Sequence, residues 1–311
     1  MKAYLVTGGA GFIGSHIAEE LTRRGHVVRV LDSFLTGKRE NLESFRDKIE
    51  LFEGDIRDLA ACRRAVQGMD FVLHQAALPS VQSSVQDPFL TNAINVDGTF
   101  NVLWAAAEAK VQRLVFASST SVYGDDPQRS KKEDTVGNPL SPYALSKWIG
   151  EKSCQLFTRI YGLPTVCLRY FNVFGPRQDP LSQYAAVIPI FITKILNGEP
   201  PVIYGDGEQT RDFVYVSNVV AANILAAEAK DVSGEVFNIA CAGSITIDAL
   251  VQEINAILGT DVRPVYRGER PGDIRYSLAD LTKARTRLAY EPSENFREGL
   301  KKTIAWYKER M

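Results

Sequence analysis

The chain has 311 residues, which exceeds a typical single domain but suits a doubly wound sheet with an appended lobe. Hydrophobic residues make up 45% of the sequence and charged residues 23%, so a sizeable core can form and disorder is not expected. The net charge is −1 and no run of Lys or Arg forms a basic tail, which argues against a nucleic-acid-binding protein.

The first half of the sequence alternates short, β-branched apolar segments with longer amphipathic segments. The short segments predict strands at Tyr4–Thr7, Val27–Leu31, Ile49–Phe52, Phe71–His74, Leu114–Ala117 and Thr165–Arg169. The longer segments predict helices at Ile13–Arg24, Leu59–Gln67, Phe89–Ala109 and Pro142–Tyr161. Such alternation favours parallel pairing through right-handed crossovers, with helices on both faces of the sheet. The predicted fold class is therefore α/β, a doubly wound parallel sheet of the Rossmann type.

The pattern changes after about Asn172, where Pro and Gly become frequent and the apolar segments become shorter. We therefore expect a dinucleotide-binding domain at residues 1–172 and a smaller C-terminal α/β lobe, mainly for substrate binding, at residues 173–311. The segment 211–240 is expected to return to the first domain, because Arg211–Val216 and Val236–Ile239 have the composition of further strands.

A glycine-rich turn follows the first predicted strand and opens the first predicted helix. Gly8 permits the tight turn, Gly11 allows backbone amides to approach a pyrophosphate, and Gly14 allows the helix to pack closely on the sheet. Asp32 ends the second predicted strand, where its carboxylate can accept hydrogen bonds from a ribose 2′-hydroxyl and would repel a 2′-phosphate. The pattern predicts NAD as the cofactor, the alternative for Asp32 being a helix or turn cap.

Hydroxyl side chains follow the fifth predicted strand, at the sheet edge where ligands bind. Farther along, Tyr143 and Lys147 lie four residues apart and therefore share one helix face. The Lys147 ammonium, together with the positive nicotinamide ring, is expected to lower the pKa of the Tyr143 phenol toward neutrality. Tyr143 could then take a proton from a substrate hydroxyl that Ser119 orients, while Lys147 also holds the nicotinamide ribose.

The GxxGxxG spacing, followed in order by the hydroxyl residue, Tyr143 and Lys147, resembles the extended short-chain dehydrogenase/reductase family over nearly the whole chain. Gly54-Asp55-Ile56 resembles that family's adenine-contacting turn, Gln75-Ala76-Ala77 its cofactor-lining segment, and Asn95 its central structural asparagine. The resemblance implies cofactor contacts at Phe12, Ile13, Gly37, Asp55, Ile56, Gln75, Ala76, Ala77, Asn95, Tyr170 and Val173.

The extended branch of this family contains epimerases, dehydratases and decarboxylases on one scaffold, so the fold alone does not select an activity. Similar dehydratases carry an Asp-Glu pair just after the catalytic hydroxyl residue, and similar UDP-glucuronate decarboxylases carry a Glu before Val-Tyr-Gly. The corresponding segment here is Thr120-Ser121-Val122, which contains no carboxylate. The resemblance therefore implies transient oxidation and re-reduction of a UDP-hexose at its 4-position, with NAD regenerated in each cycle.

The second half of the sequence resembles the epimerase subgroup. The resemblance assigns the UDP-sugar to Ser80, Ser119, Thr120, Tyr143, Asn172, Ala186, Val187, Val202, Tyr204, Arg211, Arg270, Asp273 and Ser277. Arg211 and Arg270 are the expected diphosphate contacts, because a guanidinium matches phosphate oxygens at two points. Ser277 falls where glucose-specific epimerases are expected to carry Tyr, and a small residue leaves room for a 2-acetamido group.

The segments around Gln75, Arg177 and Tyr184 are especially similar to bacterial UDP-N-acetylglucosamine 4-epimerases of polysaccharide pathways. UDP-N-acetylglucosamine and UDP-glucose, with their galacto epimers, are therefore the expected substrates. The alternatives are a UDP-uronic acid or another nucleotide diphosphosugar, or a noncatalytic NAD sensor on the same fold. Helices near Asn95–Ala109 and Tyr143–Tyr161 resemble those that pair two subunits in relatives, so a homodimer is expected.

The remaining features argue against other kinds of protein. The four cysteines are scattered without CxxC pairing, as expected for free thiols in a reducing cytosol. The three histidines lie far apart and form no metal-binding pattern, so no metal site is expected. No apolar stretch is long enough to cross a bilayer, and we expect a cytoplasmic protein without membrane or nucleic-acid partners.

Overall fold

A computed structural model describes residues 1–180, 186–269 and 275–310 of the chain. The strands are β1 (Ala3–Thr7), β2 (Val27–Asp32), β3 (Glu50–Glu53), β4 (Phe71–His74), β5 (Arg113–Ser119), β6 (Ser130–Lys131), β7 (Thr165–Tyr170), β8 (Asn172–Phe174), β9 (Val202–Tyr204), β10 (Thr210–Arg211), β11 (Phe213–Tyr215), β12 (Glu235–Ile239), β13 (Ile245–Thr246), β14 (Val265–Arg267) and β15 (Leu278–Ala279). The α-helices are α1 (Phe12–Arg23), α2 (Leu59–Val66), α3 (Val81–Gln86), α4 (Pro88–Asn92), α5 (Gly98–Glu108), α6 (Pro142–Tyr161), α7 (Val187–Leu196), α8 (Val216–Glu228), α9 (Ile247–Leu258), α10 (Thr282–Leu288) and α11 (Phe296–Lys308). Shorter helical elements are 3-10 helices at Arg39–Lys48 and Thr120–Tyr123 and a π-helical turn at Ala93–Asp97.

The main sheet has seven strands in the order β12-β7-β5-β4-β1-β2-β3, and each neighbouring pair is parallel. The six strands predicted in the first half of the sequence are all present, each within two residues of its predicted bounds. The doubly wound Rossmann-type α/β fold is therefore confirmed. The strand order reverses between β1 and β4, so a ligand crevice is expected at the carboxyl ends of these two strands.

Helices cover both faces of the sheet and form two apolar cores with it. Along β1, Tyr4 and Val6 belong to the first core and Leu5 to the second, because alternate side chains of a strand point to opposite faces. α1 and α8 contribute to the first core, whereas α2, α5 and α6 contribute to the second. Burial of this apolar surface is the main driving force for folding, and it holds the strand ends in fixed relative positions.

The helix predicted at Phe89–Ala109 is interrupted by the π-helical turn that joins α4 to α5. Within this turn, Asn95 Oδ1 accepts a hydrogen bond from the Leu78 amide over 2.7 Å, and Asn95 Nδ2 donates to the Leu78 carbonyl oxygen over 3.1 Å. The apolar periodicity of the sequence did not predict this interruption, because the segments on both sides of the turn remain amphipathic. Such turns often lie at functional sites.

A third core lies outside the main sheet and unites α7, α9 and α11. Phe174, Ile192, Ile254 and Ile304 are buried in it, and β9, which pairs with β14, contributes Ile203. Within the segment 211–240, β12 joins the main sheet beside β7 and α8 packs against α1. The preceding strand, β11, pairs with β8 outside the main sheet.

Three further features concern membrane-spanning helices, cysteines and metal ligands. Within the described residues, no helix is both long and apolar enough to span a membrane. All four cysteines are free thiols. Across the same described ranges, no group of three His, Cys, Asp or Glu side chains is placed to hold a metal ion.

Candidate active site

The glycine-rich turn joins β1 to α1 at the carboxyl edge of the sheet. Gly8 has a φ of +67°, and a Cβ at this position would lie 2.7 Å from the Ala76 backbone. A Cβ on Gly14 would lie 2.1 Å from the Gly8 carbonyl oxygen, so α1 packs against the turn at a distance that only glycine permits. The Gly11 amide donates to the Gly8 carbonyl oxygen over 3.1 Å, and α1 begins at Phe12. This backbone and the positive end of the α1 dipole form a cradle that fits a pyrophosphate.

Asp32 ends β2 beside this turn and is buried. Its Oδ2 accepts a hydrogen bond from the Ala10 amide and its Oδ1 accepts one from the Phe34 amide, each over 2.8 Å. Burial raises the pKa of the Asp32 carboxyl, and the two amide hydrogen bonds oppose that rise. Gly37 lies against the same carboxylate, where a Cβ would come within 2.7 Å of Oδ1. Asp32 therefore caps the turn and also presents a carboxylate next to the pyrophosphate cradle.

Gln75, Ala76 and Ala77 follow β4 and are partly exposed at the same edge of the sheet. The Tyr170 hydroxyl lies 3.2 Å from Gln75 Oε1 and accepts a hydrogen bond from Asn223 Nδ2 over 2.7 Å. Gln75 Nε2 in turn donates to Asn223 Oδ1 over 3.0 Å. Tyr170 is therefore held beneath the predicted cofactor segment through its hydroxyl, and the sequence did not identify Asn223 as its partner.

Asp55 and Ile56 follow β3, where the sequence predicts an adenine contact. The Arg57 guanidinium lies 2.6 Å from Asp55 Oδ2, and this hydrogen bond lowers the pKa of the Asp55 carboxyl. Ile56 is buried against Gly98, where a Cβ would lie 2.7 Å from the Ile56 side chain. The Asp55 side chain is thus paired with Arg57. Other predicted cofactor positions are partly buried against the first and third cores: Phe12, Ile13 and Val173.

Ser119, Tyr143 and Lys147 come together at the carboxyl end of β5. Ser119 ends that strand, and its Oγ accepts a hydrogen bond from the Ser121 amide over 3.1 Å. Tyr143 and Lys147 lie in the first turns of α6, and the Tyr143 and Ser119 side chains are joined by a hydrogen bond. Lys147 Nζ donates to the Ala117 carbonyl oxygen over 2.8 Å and lies 5.9 Å from the centroid of the Tyr143 ring. The three predicted catalytic side chains therefore form one cluster.

The acidity of this cluster in the protein alone is set mainly by burial. Burial raises the pKa of the Tyr143 phenol, and the hydrogen bond with Ser119 opposes that rise. Burial also lowers the pKa of the Lys147 ammonium to about 8. In the protein alone, burial dominates the pKa of Tyr143, and the Lys147 ammonium is directed to the Ala117 carbonyl oxygen. The predicted lowering of this pKa by Lys147 together with the nicotinamide charge stays a prediction. The positive charge of an oxidised nicotinamide is the further contribution that a lowered phenol pKa requires.

A buried network behind the catalytic cluster was missed by the sequence analysis. The Arg169 guanidinium donates two hydrogen bonds of 2.8 Å to the Glu151 carboxylate, and the Ser118 hydroxyl donates to Glu151 Oε1 over 2.5 Å. All three side chains are buried. Because they lie on α6, β5 and β7, the network fixes the catalytic helix to the sheet. Glu151 lies four residues after Lys147 on the same helix face, a signal that could have identified it.

Asn172 and Arg211, two predicted substrate contacts, lie next to one another through the Asp212 backbone. The Asn172 amide and Nδ2 both donate to the Asp212 carbonyl oxygen, over 3.1 and 3.2 Å. Arg211 Nη1 donates to the Thr210 carbonyl oxygen over 2.9 Å. The Thr210 amide donates to the Arg275 carbonyl oxygen over 2.9 Å, which brings the segment before β15 to the same place.

Ser277 is 8% exposed, so its side chain is buried rather than facing solvent. The Asp212 carboxylate connects the nearby segments, because its Oδ2 accepts from the Ala279 amide over 3.2 Å and its Oδ1 accepts from the Cys241 amide over 3.0 Å. Burial raises the pKa of the Asp212 carboxyl to about 6, and these amide hydrogen bonds oppose the rise. Ser277 thus lies two residues before Ala279, whose backbone amide is held by Asp212, the residue that follows Arg211.

The other predicted substrate positions lie on separate segments. Ser80 caps α3 by accepting a hydrogen bond from the Ser83 amide over 3.0 Å, and Thr120 opens the 3-10 helix after Ser119. The positions at α7 and β9 are at least partly exposed: Ala186, Val187, Val202 and Tyr204. Arg270 and Asp273 lie outside the described residues.

Comparisons with known proteins place these features in a family. Residues 4–240 match the model of the NAD dependent epimerase/dehydratase family. A putative UDP-glucose 4-epimerase of Methanocaldococcus jannaschii is 40% identical, with 98% of each chain covered. A UDP-N-acetyl-alpha-D-glucosaminuronate decarboxylase of Bacillus cytotoxicus is 37% identical, over 99% of this chain and 98% of its own. Among solved structures, a UDP-N-acetylglucosamine 4-epimerase from Methanobrevibacter ruminantium in complex with UDP-N-acetylmuramic acid matches with a TM-score of 0.95 and 43% identity, over 100% of this chain and 99% of that one.

Proposed function

Because this chain belongs to the NAD-dependent epimerase/dehydratase family, we propose that it is a UDP-hexose 4-epimerase with tightly bound NAD. The proposed substrates are UDP-N-acetylglucosamine and UDP-glucose, each interconverted with its galacto epimer. We assign cofactor binding to residues 1–172 with α8 and β12 packed on them, and sugar-nucleotide binding mainly to residues 173–311.

The observation that carries this proposal is a complete proton-transfer cluster without an adjoining carboxylate. Ser119, Tyr143 and Lys147 lie together, and the following 3-10 helix, Thr120–Tyr123, contains neither Asp nor Glu. Glu151, on the same helix as Tyr143, is already paired with Arg169 and Ser118. Elimination of water needs an additional acid or base, so oxidation and re-reduction of the sugar are the chemistry that this cluster supports.

In the proposed mechanism, Tyr143 takes the proton of the sugar 4-hydroxyl. It returns a proton after the 4-keto sugar has rotated in the site to present its other face to the cofactor. Ser119 Oγ accepts from the Ser121 amide, and its hydroxyl proton, which is directed to the Tyr143 oxygen, would turn to the sugar oxygen when the substrate binds. Lys147 gives one of its three donors to the Ala117 carbonyl oxygen, which leaves two for a ribose. Bound NAD supplies the hydride acceptor in the first half of the reaction and the hydride donor in the second half.

The test of this proposal is product analysis with the purified protein and no added cofactor. The protein is incubated separately with UDP-N-acetylglucosamine, UDP-glucose and UDP-glucuronate, and the sugar products are resolved. Denatured protein is assayed for released NAD. We expect bound NAD and a 4-epimer of at least one UDP-hexose. Release of CO2 from the uronate would identify a decarboxylase, the uronate epimer alone would identify the uronic-acid alternative, and bound NAD without any product would favour a sensor.

Replacing Asp32 with Ala is expected to weaken NAD binding by about 1–3 kcal/mol, because charge-assisted hydrogen bonds to the ribose are lost. Titration of NAD and NADP onto cofactor-depleted protein measures this change. Asn41→Ala is the matched control, since Asn41 Nδ2 supports the same turn by donating to the Ala10 carbonyl oxygen over 2.8 Å but carries no charge. An equal loss in both variants, or tighter binding of NADP than of NAD by the unmodified protein, would contradict the assignment.

Ser277→Tyr is expected to suppress conversion of UDP-N-acetylglucosamine by roughly ten- to a hundredfold while sparing UDP-glucose. A 2-acetamido group sweeps more volume than a hydroxyl when the 4-keto sugar rotates in the site. Steric overlap in a close-packed site costs about 1–3 kcal/mol. Turnover of both sugars is measured on both proteins, with Ser277→Ala as the control that adds no volume. Equal losses for the two sugars would contradict a role of Ser277 in selectivity.

We also propose that two copies of the chain pair through α5 and α6. Phe100 and Trp104 on α5 and Ile160 and Tyr161 on α6 are exposed apolar side chains on adjoining helices. The Trp104 and Tyr161 rings lie 5.5 Å apart, so these side chains form one continuous surface. Apolar patches of this kind mark protein interfaces. Sedimentation velocity on the purified protein tests the pairing, and a monomer at micromolar concentration would contradict it.

We place the proposed activity in the cytoplasm, where it would supply sugar donors for polysaccharide synthesis. The four free cysteines fit a reducing compartment. Fractionation of cells that produce the tagged protein tests this location.

A further inference from the structure

His74 is a buried side chain to which the proposed mechanism gives no role. It ends β4, between β1 and β5, and is 1% exposed. Its Nδ1 lies 2.7 Å from the Thr7 hydroxyl, and its Nε2 lies 3.0 Å from the Thr99 hydroxyl. Thr7 ends β1 directly before the glycine-rich turn, and Thr99 lies in α5 just after the π-helical turn. His74 therefore connects the turn that forms the cofactor cradle with the start of α5.

The surrounding hydrogen bonds fix the position of the ring proton. The Thr99 hydroxyl donates to the Asn95 carbonyl oxygen over 2.7 Å, so it must accept from His74, and Nε2 carries the proton. The Thr7 hydroxyl accepts from the Ala76 amide over 3.3 Å and donates its proton to Nδ1. Burial lowers the pKa of His74 to about 3, with the nearby Lys147 charge as a second cause, so the ring is neutral. A neutral ring with one donor and one acceptor satisfies every group in contact with it.

The connection continues from Thr99 to the catalytic helix. Asn95, whose carbonyl oxygen Thr99 binds, donates through Nδ2 to the Ser146 hydroxyl over 3.1 Å. The Ser146 hydroxyl donates to the Tyr143 carbonyl oxygen over 2.8 Å. An unbroken series of hydrogen bonds thus runs from the amide of Ala76 beside the cofactor cradle to the backbone of Tyr143.

We propose that neutral His74 is a positioning residue that couples the cofactor cradle to the catalytic helix. Its role rests on the proposed function, since epimerisation needs the nicotinamide and the Tyr143 hydroxyl at a fixed separation around one sugar carbon. Small displacements between reacting groups reduce rates strongly, whereas they change ground-state binding of the sugar little. His74 acts on turnover through this separation and does not touch the sugar.

Two half-replacements test the kinetic part of the proposal. His74→Gln places an amide N–H near the position of Nε2, and His74→Asn places an amide oxygen near the position of Nδ1. We expect both variants to fold and retain NAD, and to lose roughly 10- to 100-fold in kcat with KM changed by less than about threefold. Unchanged kcat in both variants would overturn the proposal, as would a loss that appears only in KM.

A second experiment needs no sugar, so it separates failure of this inference from failure of the proposed function. Exchange of bound NAD for labelled NAD is timed in the unmodified holoenzyme, in Thr99→Val, in His74→Asn and in the double variant. Because His74→Asn lacks the donor to Thr99, we expect Thr99→Val to accelerate exchange several-fold in the unmodified background and to add nothing in the His74→Asn background. Equal effects of Thr99→Val in both backgrounds, or no effect in either, would overturn the coupling.

Thr303→Val is the matched control for that exchange experiment. Thr303 is buried, and its hydroxyl donates to the carbonyl oxygen four residues earlier over 2.7 Å, as that of Thr99 does, but it lies in α11. We expect no change in NAD exchange from Thr303→Val. A 15N spectrum of the His74 ring provides a readout that requires no substitution: the Nε2–H tautomer supports the proposal, and an Nδ1–H tautomer or a protonated ring at pH 7 overturns it.

Discussion

Tyr143→Phe is expected to reduce epimerase turnover by roughly 100- to 10,000-fold, the range for loss of a general base, with the fold and bound NAD retained. Only one hydroxyl is removed, the one whose oxygen accepts a hydrogen bond from the Ser119 side chain at the end of β5. The ring remains over the same neighbours, including Lys147 at 5.9 Å from its centroid, so the change acts on proton transfer rather than on packing. Turnover of UDP-N-acetylglucosamine and UDP-glucose, together with NAD content and melting temperature, measures the effect.

Tyr161→Phe is the control for this substitution, because Tyr161 lies at the far end of the same helix and is half exposed. It should leave turnover unchanged. If Tyr143→Phe retained most of its rate, the base would have to lie elsewhere, and the neighbouring hydroxyls of Ser119 and Thr120 would be the next candidates.

Arg169→Met is expected to lower the free energy of unfolding by about 3–5 kcal/mol, the range for breaking a buried ion pair. The substitution leaves the Glu151 carboxylate buried with only the Ser118 hydroxyl as a partner, and both members of the pair are at most 2% exposed. Urea denaturation followed by far-ultraviolet circular dichroism measures the loss.

A double variant separates the loss of charge from the loss of packing at that pair, and a variant of a surface ion pair serves as the control. Arg169→Met combined with Glu151→Gln removes both charges and should lose less than Arg169→Met alone, because no unpaired buried charge remains. Arg23→Met, which breaks a surface pair with Glu20, should leave stability nearly unchanged. A single variant no less stable than the double one would show that the buried charge is not the cause.

The sequence predicted those parts of the molecule that local chemistry determines. Gly8 and Gly14 are needed where the backbone itself leaves no room for a Cβ, and the order strand, glycines, helix is visible in the sequence. The spacing of Tyr143 and Lys147 places both on one helix face whatever surrounds them. The six short apolar segments of the first half likewise predicted β1, β2, β3, β4, β5 and β7 of the parallel sheet.

Other parts depend on residues distant in the sequence and were not predicted. The pKa of Tyr143 is raised by burial, and the enclosing side chains come from elements that periodicity cannot place relative to one another. His74 was considered only as a metal ligand, because Thr7 and Thr99 become its partners through the order of strands in the sheet. β11 pairs with β8 rather than with the main sheet, which was not predicted because the sequence of a short apolar segment does not determine its pairing partner.

The π-helical turn at Ala93–Asp97 also limits how this chain can vary in length. A π turn holds one residue more than an α turn, and each helical residue corresponds to a rotation of about 100°. Deleting one residue between Pro88 and Gly98 would allow a single regular helix, yet it would rotate α4 by about that angle relative to α5. Either the Asn95 amide would leave Leu78, or the aromatic surface of Phe100 and Trp104 would turn away from α6. A one-residue deletion here should therefore be far more damaging than most single substitutions. The turn requires a fixed number of residues in this segment, because that number sets the rotation of α4 relative to α5.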